Sequence, residues 1–277
     1  MILVTGANGN LGSATLAALR ARGAAATGGS RTPGEGTRRL DFDDRASLDL
    51  AGVSTLVLVS AGYAEDDRVA ARHAAVLEAA ARDGVRHVVY TSLTTAGDHL
   101  GFALAHRVTE RLVRASGLPW TVLRNGLYAE LFGALMTWAD DGLESPFGDG
   151  ALAAVVREDL AEAAAIVAAD PAGHRGRVHD LVGRPITAAQ VAGRLGVPHR
   201  TVGLGEYRRR LLEEAPSLLP FQPPMLASIA TAVRHGFLDA TSTDLADLLG
   251  RPPRDPLPAA VAAASATRPK AAAQTAG

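Results

Sequence analysis

The chain has 277 residues, 47% of them apolar and 4% aromatic, with a formal net charge of -1 and no cysteine. That length suits one large domain, or one with a smaller lobe, whose core Ala, Val and Leu must fill. Disulfides, thiolate catalysis and cysteine–zinc sites are excluded, and the charge gives no field for nucleic acid or an acidic membrane surface. No apolar run approaches the roughly 20 residues of a membrane span. The opening MILVTG lacks the basic start of a signal peptide, so a soluble cytoplasmic protein is expected.

From the N-terminus, short β-rich runs alternate with alanine-rich helical ones. Residues 2–5 predict a buried strand, after which Leu11, Ala14, Ala18 and Leu19 recur at helical spacing. Residues 24–30 predict a weak strand interrupted by Gly28 and Gly29, and residues 37–41 a third strand. Residues 55–60 (TLVLVS) predict a strong strand, and 66–83 a long helix stopped by Gly84. Strand, helix and strand follow at 85–91, 99–115 and 120–124. This alternation predicts an α/β fold, a Rossmann-type doubly wound parallel sheet over residues 1–125.

Residues 126–251 predict a smaller C-terminal α/β substrate lobe, partly interleaved with that sheet. It would hold a helix at 128–140, a Gly/Pro/Asp loop at 142–150 and a helix at 158–168. A strand at 177–182 and a helix at 187–195 capped by Thr187 come next, then short helices within 205–215, 224–235 and 243–249. Residues 252–277 open with Pro252, Pro253, Pro256 and Pro258 and predict a mobile tail.

The densest motif is Gly6-Ala7-Asn8-Gly9-Asn10-Leu11-Gly12, set between a strand and a helix. Gly6 permits the sharp turn. Gly9 lets the backbone approach a pyrophosphate, and Gly12 lets the helix sit close to the strand. The helix N-terminus then offers free N–H groups to phosphates. A glycine-rich turn with no ligand is the bland alternative, but this strand–turn–helix context is the one the motif requires. About 20 residues on, where an NAD site places an acid, the chain reads Ser30-Arg31-Thr32-Pro33. Arg31 suits a 2′-phosphate, which favours NADP(H) over NAD, although an arginine before a Pro/Gly turn is also an ordinary solvated residue. The small side chains of Ser60, Ala61 and Gly62 suit close approach along the pyrophosphate and ribose.

The G-x-x-G-x-x-G spacing after Thr5 resembles the short-chain dehydrogenase/reductase superfamily, particularly its extended and atypical branches. The resemblance implies that Asp41 and Phe42 contact the adenine. It also implies a catalytic Ser at the end of strand five and a Tyr-x-x-x-Lys pair on the next helix. Strand five ends Tyr90-Thr91-Ser92-Leu93, which places Ser92 as that serine and Thr91 beside the cofactor. Counting back from Gly117-Leu118-Pro119-Trp120-Thr121 puts His106 at the lysine position and Phe102 at the tyrosine position, so the usual proton donor is missing.

Tyr90-Thr91-Ser92-Leu93, His106-x-x-Thr109-Glu110, Leu123-Arg124-Asn125-Gly126-Leu127-Tyr128 and the run from Gly236-Phe237 to Leu249-Gly250-Arg251-Pro252 together resemble the NmrA-like group, and within it the type 2 NAD(P)H:quinone oxidoreductases. That resemblance implies an NADPH-dependent reductase of a small quinone-like acceptor, acting as a monomer or homodimer. Asn125, Gly126 and Tyr128 would lie beside the nicotinamide, with Tyr128 a candidate catalytic residue alongside His106 and Ser92. His106 would bind the ribose or relay a proton. Two alternatives stay open: an NADP(H)-sensing regulator without catalysis, and a reductase or isomerase of another carbonyl or isoflavone-like substrate. Eight histidines without H-x-x-x-H spacing predict no metal site. Arg157, opening a helix, is placed to reach a ligand from the smaller lobe.

Overall fold

The computed structural model describes residues 1–60, 64–139, 141–213 and 217–269. The first half runs β1 (Ile2–Thr5), α1 (Asn10–Ala21), β2 (Ala26–Ser30), β3 (Thr37–Arg39) and β4 (Thr55–Val59). It continues through α2 (Asp66–Arg82), β5 (His87–Leu93), α3 (Ala103–Ala115) and β6 (Trp120–Asn125). Then come α4 (Ala129–Ala134), β7 (Thr137–Ala139), β8 (Gly142–Ser145), β9 (Ala151–Ala154), α5 (Arg157–Ala169) and β10 (Val178–Leu181). The last part holds β11 (Arg184–Thr187), α6 (Ala188–Leu195), β12 (His199–Thr201), α7 (Leu204–Glu213), α8 (Gln222–Arg234), α9 (Asp244–Leu249) and α10 (Pro256–Ala266).

Seven strands form one parallel sheet in the order β10-β6-β5-β4-β1-β2-β3. The central strands are apolar on both faces because helices cover both; β5 is buried at every position. Leu16 and Leu19 of α1 join Leu160, Ala164 and Val167 of α5 on one face. Val76, Leu77 and Ala80 of α2 and Val113 of α3 lie on the other. Strand order reverses between β4 and β1, which makes the carboxyl end of β1 the crevice where such sheets bind ligands.

β2 is a full strand despite its glycines. A Cβ on Gly28 would lie 2.5 Å from Ala7 Cβ and 2.9 Å from Thr37 Cγ2; one on Gly29 would lie 2.8 Å from Leu40 Cδ2. The glycines let neighbouring elements close onto the strand, so packing overrides their poor strand propensity.

Three expectations for the second half are corrected. The helix expected over 128–140 ends at Ala134, because the chain then pairs as β7 with β8. The loop expected over 142–150 therefore begins as a strand, which also pairs with β12. The tail expected over 252–277 contains α10. Asp255 caps it by accepting from Leu257 N–H at 2.9 Å, and Pro256 takes the first helical position, where a missing N–H costs nothing. α10 packs on α4 so closely that a Cβ on Gly133 would strike the Ala260 carbonyl, and Trp138 Nε1–H donates to Ala264 O at 2.8 Å. By contrast, the Thr187 cap expected on α6 is present as a full capping box with Gln190. No helix among the described residues is long and apolar enough to cross a membrane.

Candidate active site

The carboxyl ends of six parallel strands carry the residues singled out in the sequence. After β1, Gly6 adopts φ +62°, a left-handed conformation that only glycine takes without strain. Gly9 N–H donates to Gly6 O at 2.8 Å and closes the turn. A Cβ on Gly12 would collide with the Gly6 carbonyl, so Gly12 sets the close helix–strand approach. Gly9 is the N-cap of α1 and offers no side-chain hydrogen bond, and the first turn holds no acid. The N–H groups of Asn10, Leu11 and Gly12 therefore point out of an uncapped, dipole-positive helix end. These features fit a diphosphate: open backbone, free donors and no competing carboxylate.

Asn8 Nδ2–H donates to Thr32 O at 3.0 Å and to Thr32 Oγ1 at 3.3 Å, tying the glycine turn to the end of β2. Between them in the chain, Arg31 is exposed and lies within electrostatic range of Asp43. Asp43 is itself held by Arg72 at 2.8 and 2.5 Å, and that guanidinium keeps its carboxyl below the usual range. Asp41 accepts from Asp43 N–H at 3.1 Å, which shapes the loop after β3. The adjacent Phe42 ring lies 6.3 Å from that of His73. Ser60 N–H donates to Thr91 Oγ1 at 3.2 Å, joining the ends of β4 and β5. Ala61 and Gly62 lie outside the described residues.

The two motifs on β5 and α3 interlock residue by residue. Tyr90 Oη is 3.1 Å from His106 Nδ1. Ser92 Oγ–H donates to Glu110 Oε1 at 2.7 Å. Thr109 Oγ1 donates to Ala105 O and meets His73 Nδ1, both at 2.8 Å. Glu110 is 1% exposed and also receives Arg124 at 2.7 and 2.9 Å, Arg107 at 2.8 Å and Arg114 at 3.2 Å. Burial opposes its charge, but the bonds from Arg124 and Ser92 and the surrounding guanidiniums hold its carboxyl below the usual range. Ser92 is 3% exposed and gives its hydroxyl hydrogen to Glu110. Phe102, beside the N-terminus of α3, sits with its ring 6.2 Å from His106, on the same side of the helix.

Burial pushes the His106 imidazole down to about 4; Arg107 adds to the effect and Glu110 opposes it. His73, with no exposed surface, is pushed down to about 3 by burial first, then by His106 and Arg72. Both rings are neutral near pH 7. The unfolded chain binds protons at these sites from about pH 6.5 downward while the native one does not, so stability present above that pH is lost on acidification. His73→Asn, whose amide N–H can still donate to Thr109, is expected to flatten the fall in stability between pH 6.5 and 4.5. The slope should drop by about 1.4 kcal/mol per pH unit, as measured by urea midpoints across that range.

Asn125 and Tyr128 follow β6. Asn125 is 6% exposed with Oδ1 unbonded among the described residues, and it lies beside Thr94, whose N–H donates to Asn125 O at 2.8 Å. Gly126 is explained by packing: its N–H donates to Leu181 O at 2.8 Å, and a Cβ there would press on Val182. The Tyr128 ring is covered by the Arg157 guanidinium at 5.0 Å, and Arg157 in turn faces Glu130 at 3.7 Å. Arg157 is thus occupied within the lobe. The only local signal for the Glu110 cluster is the Thr-Glu pair three and four residues after His106, a spacing that puts all three near one helix face.

No metal-binding cluster of His, Asp or Glu occurs among the described residues. A seven-stranded parallel sheet with this turn at its switch point is a Rossmann-type α/β architecture. No family model matches the chain. It is 32% identical over 278 residues to quinone oxidoreductase 2 of Escherichia coli, a match covering 91% of this chain and 94% of that one. The chain belongs to the NmrA-like branch of the atypical short-chain dehydrogenase/reductases. Among solved structures, the Escherichia coli NADPH-dependent quinone oxidoreductase QOR2 complexed with NADPH is similar at 30% identity, covering 94% of this chain and 98% of that one, with a TM-score of 0.81. Citrobacter sp. triphenylmethane reductase complexed with NADP(H) is similar at 28% identity over 95% and 99%, also with a TM-score of 0.81.

Proposed function

We propose that this protein is an NADPH-dependent oxidoreductase that delivers hydride to a small quinone-like acceptor. The observation that carries the reading is the Gly6–Gly12 turn opening an uncapped helix at the switch point, with Arg31 exposed at the next strand end. The NADPH and NADP(H) complexes of the similar Escherichia coli and Citrobacter proteins support it. Bound NADPH supplies the hydride from its reduced nicotinamide.

The chain's own part is binding, orientation and proton management. The N–H groups at the start of α1 would hold the diphosphate, and Arg31 the 2′-phosphate. His106, on α3, and Asn125, at the end of β6, would hold the ribose and nicotinamide. Phe102 has no exchangeable proton, so the acid needed to reduce an ordinary ketone is absent. A quinone relaxes that demand: its reduced oxygen is phenolate-like, a weaker base than an alkoxide, so a neutral imidazole N–H suffices to hydrogen-bond it while solvent supplies the proton. The exposed ring of Phe237, edge-on to His99 at 4.6 Å, would offer an apolar surface to a flat acceptor.

The test is loss of NADPH absorbance by purified protein with benzoquinone, naphthoquinone and their methylated forms. Turnover well above the uncatalysed rate is expected. Tight NADPH binding with no turnover on any quinone would replace this reading with that of a nucleotide sensor.

A further inference from the structure

His106 has two ring nitrogens in different surroundings. Nδ1 lies 3.1 Å from Tyr90 Oη, while Nε2 has no partner among the described residues. Tyr90 has no exposed surface, so its phenol cannot reach a substrate. Its ring is boxed between those of His73 at 5.7 Å and His106 at 6.3 Å.

The hydrogens in this box can be assigned. Thr109 has one hydroxyl hydrogen and gives it to Ala105 O, so Thr109 accepts from His73 Nδ1–H. Burial keeps the Tyr90 phenol protonated far above its ordinary range, so Tyr90 always has a hydrogen to give. Ser60 and Thr109 also flank its oxygen, but a neutral imidazole nitrogen is a stronger base than a hydroxyl oxygen.

We propose that Tyr90 is the positioning residue for His106: its phenol donates to Nδ1 and fixes the ring in the single tautomer that carries hydrogen on Nε2. His73, Thr109 and Tyr90 thus form a buried bracket that aims a donor from the lysine-equivalent position of α3. The consequence for catalysis rests on the reductase reading above. There, the Nε2–H of His106 is a fixed donor toward ribose or acceptor oxygen, and loss of the Tyr90 hydroxyl releases the ring without removing it.

The experiment uses full-length wild type, Tyr90→Phe, His106→Gln and the double variant. Nitrogen-15 spectra of the histidine side chains, recorded without cofactor at pH 7.5, identify the His106 signal by its absence in His106→Gln. Wild type should show the Nε2–H form alone, and Tyr90→Phe a mixture of both tautomers. In quinone turnover, Tyr90→Phe should lower kcat about tenfold, the usual worth of one hydrogen bond, and change acceptor KM less than twofold. In the His106→Gln background it should change nothing further.

An Nδ1–H tautomer in wild type, an undisturbed single tautomer in Tyr90→Phe, or effects that multiply in the double variant would overturn the proposal. The wild-type spectrum decides even if Tyr90→Phe does not fold. Absence of quinone turnover in wild type would defeat the reductase reading but leave the tautomer result standing.

Discussion

Glu110→Ala is expected to lower folding stability by about 3 kcal/mol, the lower end for breaking a buried ion cluster. The lower end applies because Arg107 and Arg124 are each about one-fifth exposed at their side chains and Arg114 more, so water can recover part of their solvation. Arg107 also keeps Asp98 at 2.6 Å. The carboxylate is nonetheless the one group that ties Ser92 on β5, Arg124 on β6 and two turns of α3 together. Glu110→Gln should do nearly as much damage, since its amide would set an N–H against guanidinium donors. Urea unfolding gives the answer directly. A midpoint shift worth under about 1 kcal/mol would mean that these pairs behave as solvent-screened surface contacts.

Arg31→Ala should raise the Kd for NADPH about thirtyfold and change that for NADH less than threefold. Charge-assisted hydrogen bonds to a phosphate contribute about 1.5–3 kcal/mol, which is roughly ten- to a hundredfold in binding. The discrimination arises because β2 ends in Ser30 with no acid, and Asp43, which lies within electrostatic range of Arg31, is already engaged by Arg72. Calorimetric titration of both nucleotides into both proteins separates the outcomes. Equal weakening of the two would place Arg31 outside the nucleotide site.

What the sequence made legible follows from where each requirement is local. The turn at Gly6, Gly9 and Gly12 is written in the residues that occupy it, because the positive φ and close approach need glycine wherever the chain folds. The capping box at Thr187 and Gln190 is local in the same way. β2 was readable only weakly, since its glycines serve Ala7 and Leu40, which are distant in sequence. β7, β8 and β12 are three or four residues long and exist through one another; nothing within residues 137–139 distinguishes them from the end of a helix. Glu110 reads as part of a motif but not as a hub, because an acid next to basic residues on a helix is by default a solvated face. Its role depends on the approach of β5 and β6.

The clasp between α10 and α4 has a consequence for biosynthesis. Trp138 and its acceptor Ala264 are 126 residues apart, whereas β1 pairs with β2 and β4, and α1 packs on α5, all of them complete by Ala169. As the polypeptide leaves the ribosome, the glycine turn can form early, long before the segment beyond Tyr128 gains its outer support. The sheet and its glycine turn would thus precede completion of the smaller lobe, and a nascent chain arrested short of α10 would carry that lobe without the helix that covers α4.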